Sequence, residues 1–588
     1  MSEVQHSVLI AAVTCLATTG LSAPYRNTDP GVKYVGSKVC AGCHSQIYAQ
    51  YIKTAMGRSF TLPSPQLVST AVTIHSDLLN RDFRVYREGE SVYQVESESR
   101  DGQLVFENKH KIEYVIGSGE NGMSFVVRRG DHLFQAPLSY YSRAAKWDLS
   151  PGYEETDQGF NRPIYDACIT CHAGRPQPVA GRDGLYSTPP FTELAVGCEN
   201  CHGPGELHVK ERGSGFRGTP DDSIVNPSRL PARLAEDICM KCHQGGAARV
   251  LLPGKNYTDF RAGTRLAGTV AIFSLPLSPN GTDLLEHHVS MKLSACYWKS
   301  SGKLSCLTCH DPHRQPDATA APSFYRSRCF TCHTGRDCTE SATARAANAD
   351  NCIACHMPKR DVEKISHSAL TNHRIPRRPD AIASNVNLPE AEEPDLPGLL
   401  LLDKSDEHVA LPFVTRLAAY GELAGRSPAL LSEYLSLLDR AAKVAPDNPV
   451  VLAALGRRSL LDKRPDALTY LIRAVDRGSA SVTTLIDLSE ALDQAGRTTE
   501  SASALEKALD LFPYSKDVRK RLILHYIQLA RYPDARSAMV KYIAEFPEDD
   551  FMRSLLHRVG GDGLVVIPAI SAEFFVKLQT FVFAHLKR

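Results

Sequence analysis

Charge of one sign is missing from this sequence. Its 588 residues carry 67 Lys and Arg against 66 Asp and Glu, a formal charge of +1. A nucleic-acid binder would show a basic surplus, so that class is excluded. Long apolar runs are missing too. None reaches the roughly 18 residues that cross a bilayer as a helix, which argues against an integral helical membrane protein with a transmembrane span. What is abundant is Cys, with 17, and His, with 21. At roughly 150 residues per domain the length allows three or four units.

Scattered at those frequencies, Cys-x-x-Cys-His would arise roughly 0.02 times in the chain. It occurs seven times, which sets the chain apart from an ordinary cytosolic enzyme. The copies are Cys40/Cys43/His44, Cys168/Cys171/His172, Cys198/Cys201/His202, Cys239/Cys242/His243, Cys306/Cys309/His310, Cys329/Cys332/His333 and Cys352/Cys355/His356. Two thiols at this spacing reach the two vinyl groups of one porphyrin and form thioethers. The His that follows is then carried beneath the iron as its proximal ligand. Paired Cys-x-x-Cys units also build zinc knuckles, but zinc gives no reason for His to follow the second Cys every time. A two-residue gap is a poor disulfide staple. The expected cofactors are seven covalently attached haem c groups.

Attachment of this kind is made outside the cytoplasm, and the first residues agree. Residues 1–23 read as a signal peptide, with Val8 to Ala23 as a short apolar core, although the segment before it lacks Lys and Arg and Pro24 leaves the cleavage site open. Cys15 would be removed with it. The expected location is periplasmic or extracellular.

The distal ligands must come from the remaining side chains. His313 lies three residues after His310 and cannot reach the far face of the same haem, so it would ligate a neighbour. His208 follows a Gly-rich turn that permits close backbone approach to a porphyrin. His367 and His373 close the Cys-rich region. His287 and His288 are adjacent, so one ligates, and His288 is preferred. Met56, twelve residues after His44, is a further axial candidate or a packing residue. His75, His110 and His132 lie in strand-like sequence and read as plain surface residues.

The pattern along the chain gives a mixed fold class. A first haem segment spans residues 35–65. Alternating apolar and polar residues over 66–150 predict a small antiparallel β insertion. Residues 160–374 then hold six motifs, about 32 residues per haem between Cys168 and His356, too little chain for a separate hydrophobic core around each. The haems themselves must be the core of a loop- and short-helix-rich domain, close enough to pass electrons. Cys296 and Cys338 remain over, and an oxidising compartment allows a disulfide between them or two free thiols. A Pro-rich linker spans 375–400, and after it Cys is absent. Residues 401–560 carry a 34-residue repeat, seen at Asp466, Glu500 and Asp534 and at Leu471, Leu505 and Met539. That is the tetratricopeptide period, an all-α array that either takes a peptide or protein partner or caps haem edges. Residues 561–588 form a C-terminal tail.

On Gly197-Cys-Glu-Asn-Cys-His-Gly-Pro-Gly-Glu-Leu-His208, on Ser305-Cys-Leu-Thr-Cys-His-Asp-Pro-His313, on Cys352-Ile-Ala-Cys-His-Met-Pro-Lys359 and on the segment His367 to Ile375, the chain resembles extracytoplasmic multihaem cytochromes c with a C-terminal tetratricopeptide-repeat domain. The resemblance covers residues 35–380 well and the tail only generically. It implies mainly bis-His haems, with His208, His313, His367 and His373 as ligands. The expected function is electron relay between periplasmic or membrane-associated redox proteins, with the repeats docking a partner. The alternative is a multihaem oxidoreductase acting on a small nitrogen or sulfur oxyanion at one open haem. No Cys-x-x-Cys-Lys, which marks the open haem of pentahaem nitrite reductases, is present. A third reading makes the haems a redox sensor for the repeats.

Overall fold

The computed structural model describes residues 25–559, apart from residues 155, 157, 217, 219 and 302 and segments 276–286, 335–337, 360–370, 378–399 and 402–410. The signal segment with Cys15, His367, most of the Pro-rich linker and the tail at 561–588 lie outside the described residues.

An antiparallel sheet forms the β-rich part. Its strands are β1 (Phe60–Thr61), β2 (Val72–Ser76), β3 (Arg81–Glu88), β4 (Ser91–Arg100), β5 (Gln103–Ile116), β6 (Ser124–Arg129), β7 (His132–Gln135) and β10 (Arg162–Pro163). They run in the order β10-β7-β6-β5-β4-β3-β2, with β1 also on β5. Two further strands, β8 (Leu138–Tyr141) and β9 (Lys146–Leu149), make a separate hairpin. Alternation places Phe83 with Val85 and Phe125 with Val127 on one buried face with Phe134, and a bulge between Ile112 and Tyr114 brings both Ile112 and Val115 to the same cluster. Asp101 and Gly102, both at positive φ, close the β4–β5 hairpin in the two-residue turn that Asp-Gly favours. The terminal strands β1 and β10 join this sheet to the Cys-rich segments on either side of it.

Short helices carry most of the motifs. They include Ser37–Ala41, Asp166–Ile169, Cys198–His202, Ala232–His243, Cys306–Cys309, Ala321–Cys329 and Cys352–His356. One helical turn brings Cys i and i+3 to the same face, so both thiols of a motif leave the backbone together. Two hairpins intervene: β11 (Ala173–Pro178) with β12 (Tyr186–Ala195), and β13 (Ala248–Leu251) with β14 (Val270–Ser274). A strand at the end of the linker, β15 (Leu400–Leu401), pairs with β14.

The chain then becomes wholly helical among its described residues. Helices begin at Pro449, Val482, Lys516 and Asp550, spaced 33, 34 and 34 residues, each followed by a partner helix where described. Asn448, Ser481 and Ser515 cap three of them through side-chain oxygens. The repeat positions Leu471, Leu505 and Met539 are fully buried, which is why the period exists: each hairpin has one apolar face to cover with its neighbour.

The array is braced at both ends. Its first hairpin, Phe413–Leu423 and Pro428–Val444, buries Leu417, Tyr420 and Leu438 in one cluster with Val250 and Phe273 of β13 and β14. Its later repeats close on the large sheet through Arg129, at 5% side-chain exposure. That guanidinium pairs with Glu545 and lies 4.6 Å from the Tyr514 ring centre and 5.4 Å from that of Phe546. Tyr514 donates its hydroxyl to the Arg129 carbonyl at 3.0 Å.

Candidate functional site

The motif histidines are not scattered. His44 of the first motif stands opposite His208, ring centres 6.4 Å apart and planes 19° from parallel. His202 of the third motif faces His313 at 5.9 Å and 9°. His310 of the fifth motif faces His373 at 6.3 Å and 29°. His243 of the fourth motif meets His287 at 5.5 Å with the rings near perpendicular, and His287 also lies 4.7 Å from His373. The last four therefore make one cluster, joining the fourth motif to the fifth.

Local hydrogen bonds fix how several of these rings point. The Nδ1 of His202 bonds to the Val225 carbonyl at 2.8 Å, that of His373 to the Thr371 carbonyl at 2.9 Å, and that of His356 to the Pro376 carbonyl at 2.9 Å. The Nδ1 of His208 lies 3.0 Å from the Asp221 carboxylate. The carbonyl bonds to Nδ1 hold the tautomer with Nε2 as the free lone pair, which is how a ligating His is prepared. Burial lowers the imidazole pKa of His202, His243, His310 and His373 and takes His287 down to about 3, so these rings are neutral at ordinary pH.

The thiols show the same gathering. Cys40 of the first motif contacts Cys198 of the third, Cys171 of the second contacts Cys242 of the fourth, Cys239 of the fourth contacts Cys306 of the fifth, and Cys329 of the sixth contacts Cys352 of the seventh. Neighbours in space are thus not always neighbours in sequence. Glu199, inside the third motif and 2% exposed, explains the first contact. It accepts the Val35 and Gly36 amides just before the first motif at 2.9 and 2.7 Å, and the Gly205 amide at 2.7 Å. Asn27 adds bonds to the His202 and Pro204 carbonyls at 2.9 and 3.1 Å.

The burial expected of a core built on the motifs does not extend to all of them. Cys43 of the first motif, Cys168 of the second and Cys332 of the sixth are exposed, and so is His333, the proximal residue expected of the sixth. Cys355 of the seventh motif is half-buried in the helix Cys352–His356, and its partner Cys352 rather than Cys355 meets the sixth motif. Cys43, Cys168, Cys332 and His333 are thus open to solvent, whereas His202, Cys242 and Cys355 are half-buried.

Several expectations change. His208, not Met56, faces His44; Met56 sits half-buried in a short helical turn, Met56–Arg58. His287, not His288, meets a motif histidine, because His288 points away into a buried pair with Glu236 at 3.0 Å. Of the two options for Cys296 and Cys338 the structure has the free thiols, and Cys296 lies near Cys309 and Cys332 of two motifs. His75 is the exposed strand residue expected, bonded to Asp82 at 2.8 Å. His110 and His132 instead pack inside, His110 on Phe160 and His132 between Phe134 and Tyr514, because the array covers that end of the sheet. Sequence reasoning also missed Glu199, Glu236 and Asp221, whose partners come from distant segments and leave no local signal. His172 and Ser59 meet through the Ser59 hydroxyl on the His172 carbonyl at 2.7 Å, which ties the second motif to the chain just after the first.

A surface groove lined by Pro65, Val68, Arg84, Tyr86 and Arg87 lies on the sheet and carries no motif residue. Among the described residues no three His, Cys, Asp or Glu side chains gather as a tetrahedral metal site would need. No described helix is long and apolar enough to cross a membrane.

Comparison with known proteins bears on the array. A tetratricopeptide-repeat family model matches residues 492–558, so this part of the chain is a tetratricopeptide-repeat domain. Among solved structures, the crystal structure of the MamA protein aligns at 20% identity over 24% of this chain and 80% of its own, with a TM-score of 0.22. The crystal structure of the APC/C hetero-tetramer Cut9-Hcn1 aligns at 16% identity over 25% of this chain and 29% of its own, with a TM-score of 0.21. No curated protein matches the chain.

Proposed function

We propose that the chain is an exported heptahaem c-type cytochrome that relays electrons between periplasmic or membrane-associated redox proteins, one of which docks on the helical repeats. The observation that carries this reading is the facing of motif histidines by second histidines. Two imidazoles bound to one metal from opposite sides, at about 2.0–2.1 Å per bond, have ring centres roughly 6 Å apart. The 6.4, 5.9 and 6.3 Å separations of His44–His208, His202–His313 and His310–His373 fit that requirement. The zinc alternative asks for converging thiolates, whereas the described thiols meet in pairs from different motifs.

In this reading the fourteen motif Cys residues hold seven macrocycles by thioether bonds, and the seven motif His residues bind from one side. His208, His313, His373 and His287 bind from the other. The exposure of Cys43, Cys168 and Cys332 agrees with attachment to a macrocycle edge that the polypeptide leaves open. Bound iron porphyrins supply one-electron oxidation and reduction, at potentials set by axial ligands and by the groups bonded to them. The protein's part is to place these sites near one another without a large core. Glu199 does so between the first and third motifs, and the array, held at both ends, stiffens the assembly.

Intact mass under denaturing conditions tests the reading, because thioether-bound haem survives unfolding and zinc does not. The exported protein is expected to carry seven haem increments on the polypeptide mass. A polypeptide without covalent haem would end the proposal.

A further inference from the structure

The axial histidines differ in what stands behind them. Behind His202, His356 and His373 is a neutral backbone carbonyl on Nδ1. Behind His208 is the carboxylate of Asp221, 3.0 Å from Nδ1, with the Ser223 hydroxyl at 3.4 Å. His313 has Asp311 at 3.7 Å, which is beyond hydrogen-bond range. His310 has the Tyr325 hydroxyl at 3.5 Å.

We propose that Asp221 is a positioning residue that lowers the redox potential of the site between His44 and His208, through its charge 3.0 Å from Nδ1 of His208 and through the Ser223 hydroxyl that links the two. The inference rests on the haem reading above. A hydroxyl that accepts the Nδ1 proton while donating its own to a carboxylate pushes electron density into the ring and makes Nε2 a stronger donor, which favours the ferric over the ferrous state. The carboxylate's negative charge acts in the same sense on a centre that gains charge on oxidation.

The structure keeps that carboxylate charged and in place. Asp221 accepts the Ser223 amide at 3.0 Å and the Ser223 hydroxyl at 2.5 Å, and Arg212 meets it at 2.7 Å. Arg212 pairs with the same Oδ2 that lies nearest His208, so it offsets the carboxylate's charge there. Two opposed side chains on one imidazole make the effect adjustable in both directions.

The test is a potentiometric titration of the full-length holoprotein beside Asp221→Asn and Arg212→Gln, with haem content checked by denaturing mass. In Asp221→Asn one of the one-electron waves is expected to move up by about tenfold in its ferrous-to-ferric ratio, about 59 mV, with the others in place. In Arg212→Gln one wave is expected to move down. Waves that stay fixed in both variants, or that shift together, would overturn the inference while leaving the haem reading intact. A protein without covalent haem would instead overturn that reading. If Asp221→Asn releases His208, a new high-spin ferric fraction reveals it, and the direction of the Arg212→Gln shift then decides.

Discussion

His313 faces His202 across 5.9 Å with ring planes 9° apart, although 111 residues separate them and His310 lies only three positions before His313. A helical or turn spacing of three puts His310 and His313 on one side of the same short segment, so His313 must serve another motif. In His313→Ala the third motif, not the fifth, is therefore expected to lose its second ligand. Redox titration or ferric magnetic resonance of that variant, compared with His373→Ala, should show two different sites perturbed.

In the proposed reading the ligand opposite His44 is His208, whose ring faces it at 6.4 Å. His208→Ala is expected to convert about one seventh of the ferric iron to a high-spin form. Met56→Leu is expected to leave the ferric and ferrous spectra unchanged. The reverse result would restore Met56 as the axial residue.

His287 and His288 separate by the kind of damage they cause. His287→Ala should open a site and leave the fold intact. His288→Ala leaves Glu236, 6% exposed, without its 3.0 Å partner, a loss of about 1–3 kcal/mol in a denaturant titration with no change in axial ligation.

These cases mark how far the sequence could be read. The motifs, the β alternation and the 34-residue period are each local patterns with one physical cause, so they were legible. The choice of His287 over His288 was not, because it depends on the phase of the short helix His287–Lys292 against a Glu brought from 52 residues upstream. Nor was the exposure of Cys43 and His333 beside the burial of His202, since identical motifs differ only in what the rest of the chain lays over them. Strands β1 and β10 are two residues each, too short to alternate. The burial of His110 and His132 depends on the array folding back onto the sheet, and Arg129 carries no local mark of that contact.

Arg129 joins the sheet to the array. Arg129→Ala is expected to cost about 2–4 kcal/mol, since it removes hydrogen bonds to Phe160 and Asn161, the Glu545 pair and three ring contacts. Tyr514→Phe, which loses the single bond to the Arg129 carbonyl, is expected to cost about 0.5–1.5 kcal/mol. Chemical unfolding of the two variants checks the order.

Acid should loosen the same interface. Burial, with Arg129 nearby, takes His110 from 6.5 down to about 4. The unfolded chain then binds this proton more readily than the folded one, so stability is full above pH 6.5 and falls as the pH drops toward 4. The contribution is on the order of 3 kcal/mol. His110→Gln should flatten the slope of stability against pH in that window. An unchanged slope would show that His110 does not drive it.

With seven haems attached as proposed, each with two propionates, the polypeptide's +1 would become about −6 when ferric and about −13 when ferrous. Electron exchange with a basic partner is therefore expected to slow as ionic strength rises. A rate that ignores salt would contradict an electrostatic docking step.

The most direct test of the relay is the magnetic resonance spectrum of the ferric holoprotein, followed by carbon monoxide addition to the ferrous form. The four irons held by facing imidazoles predict low-spin signals from at least four sevenths of the iron, with no carbon monoxide shift from those sites. A high-spin fraction above three sevenths that binds carbon monoxide would contradict the facing pairs as axial ligands.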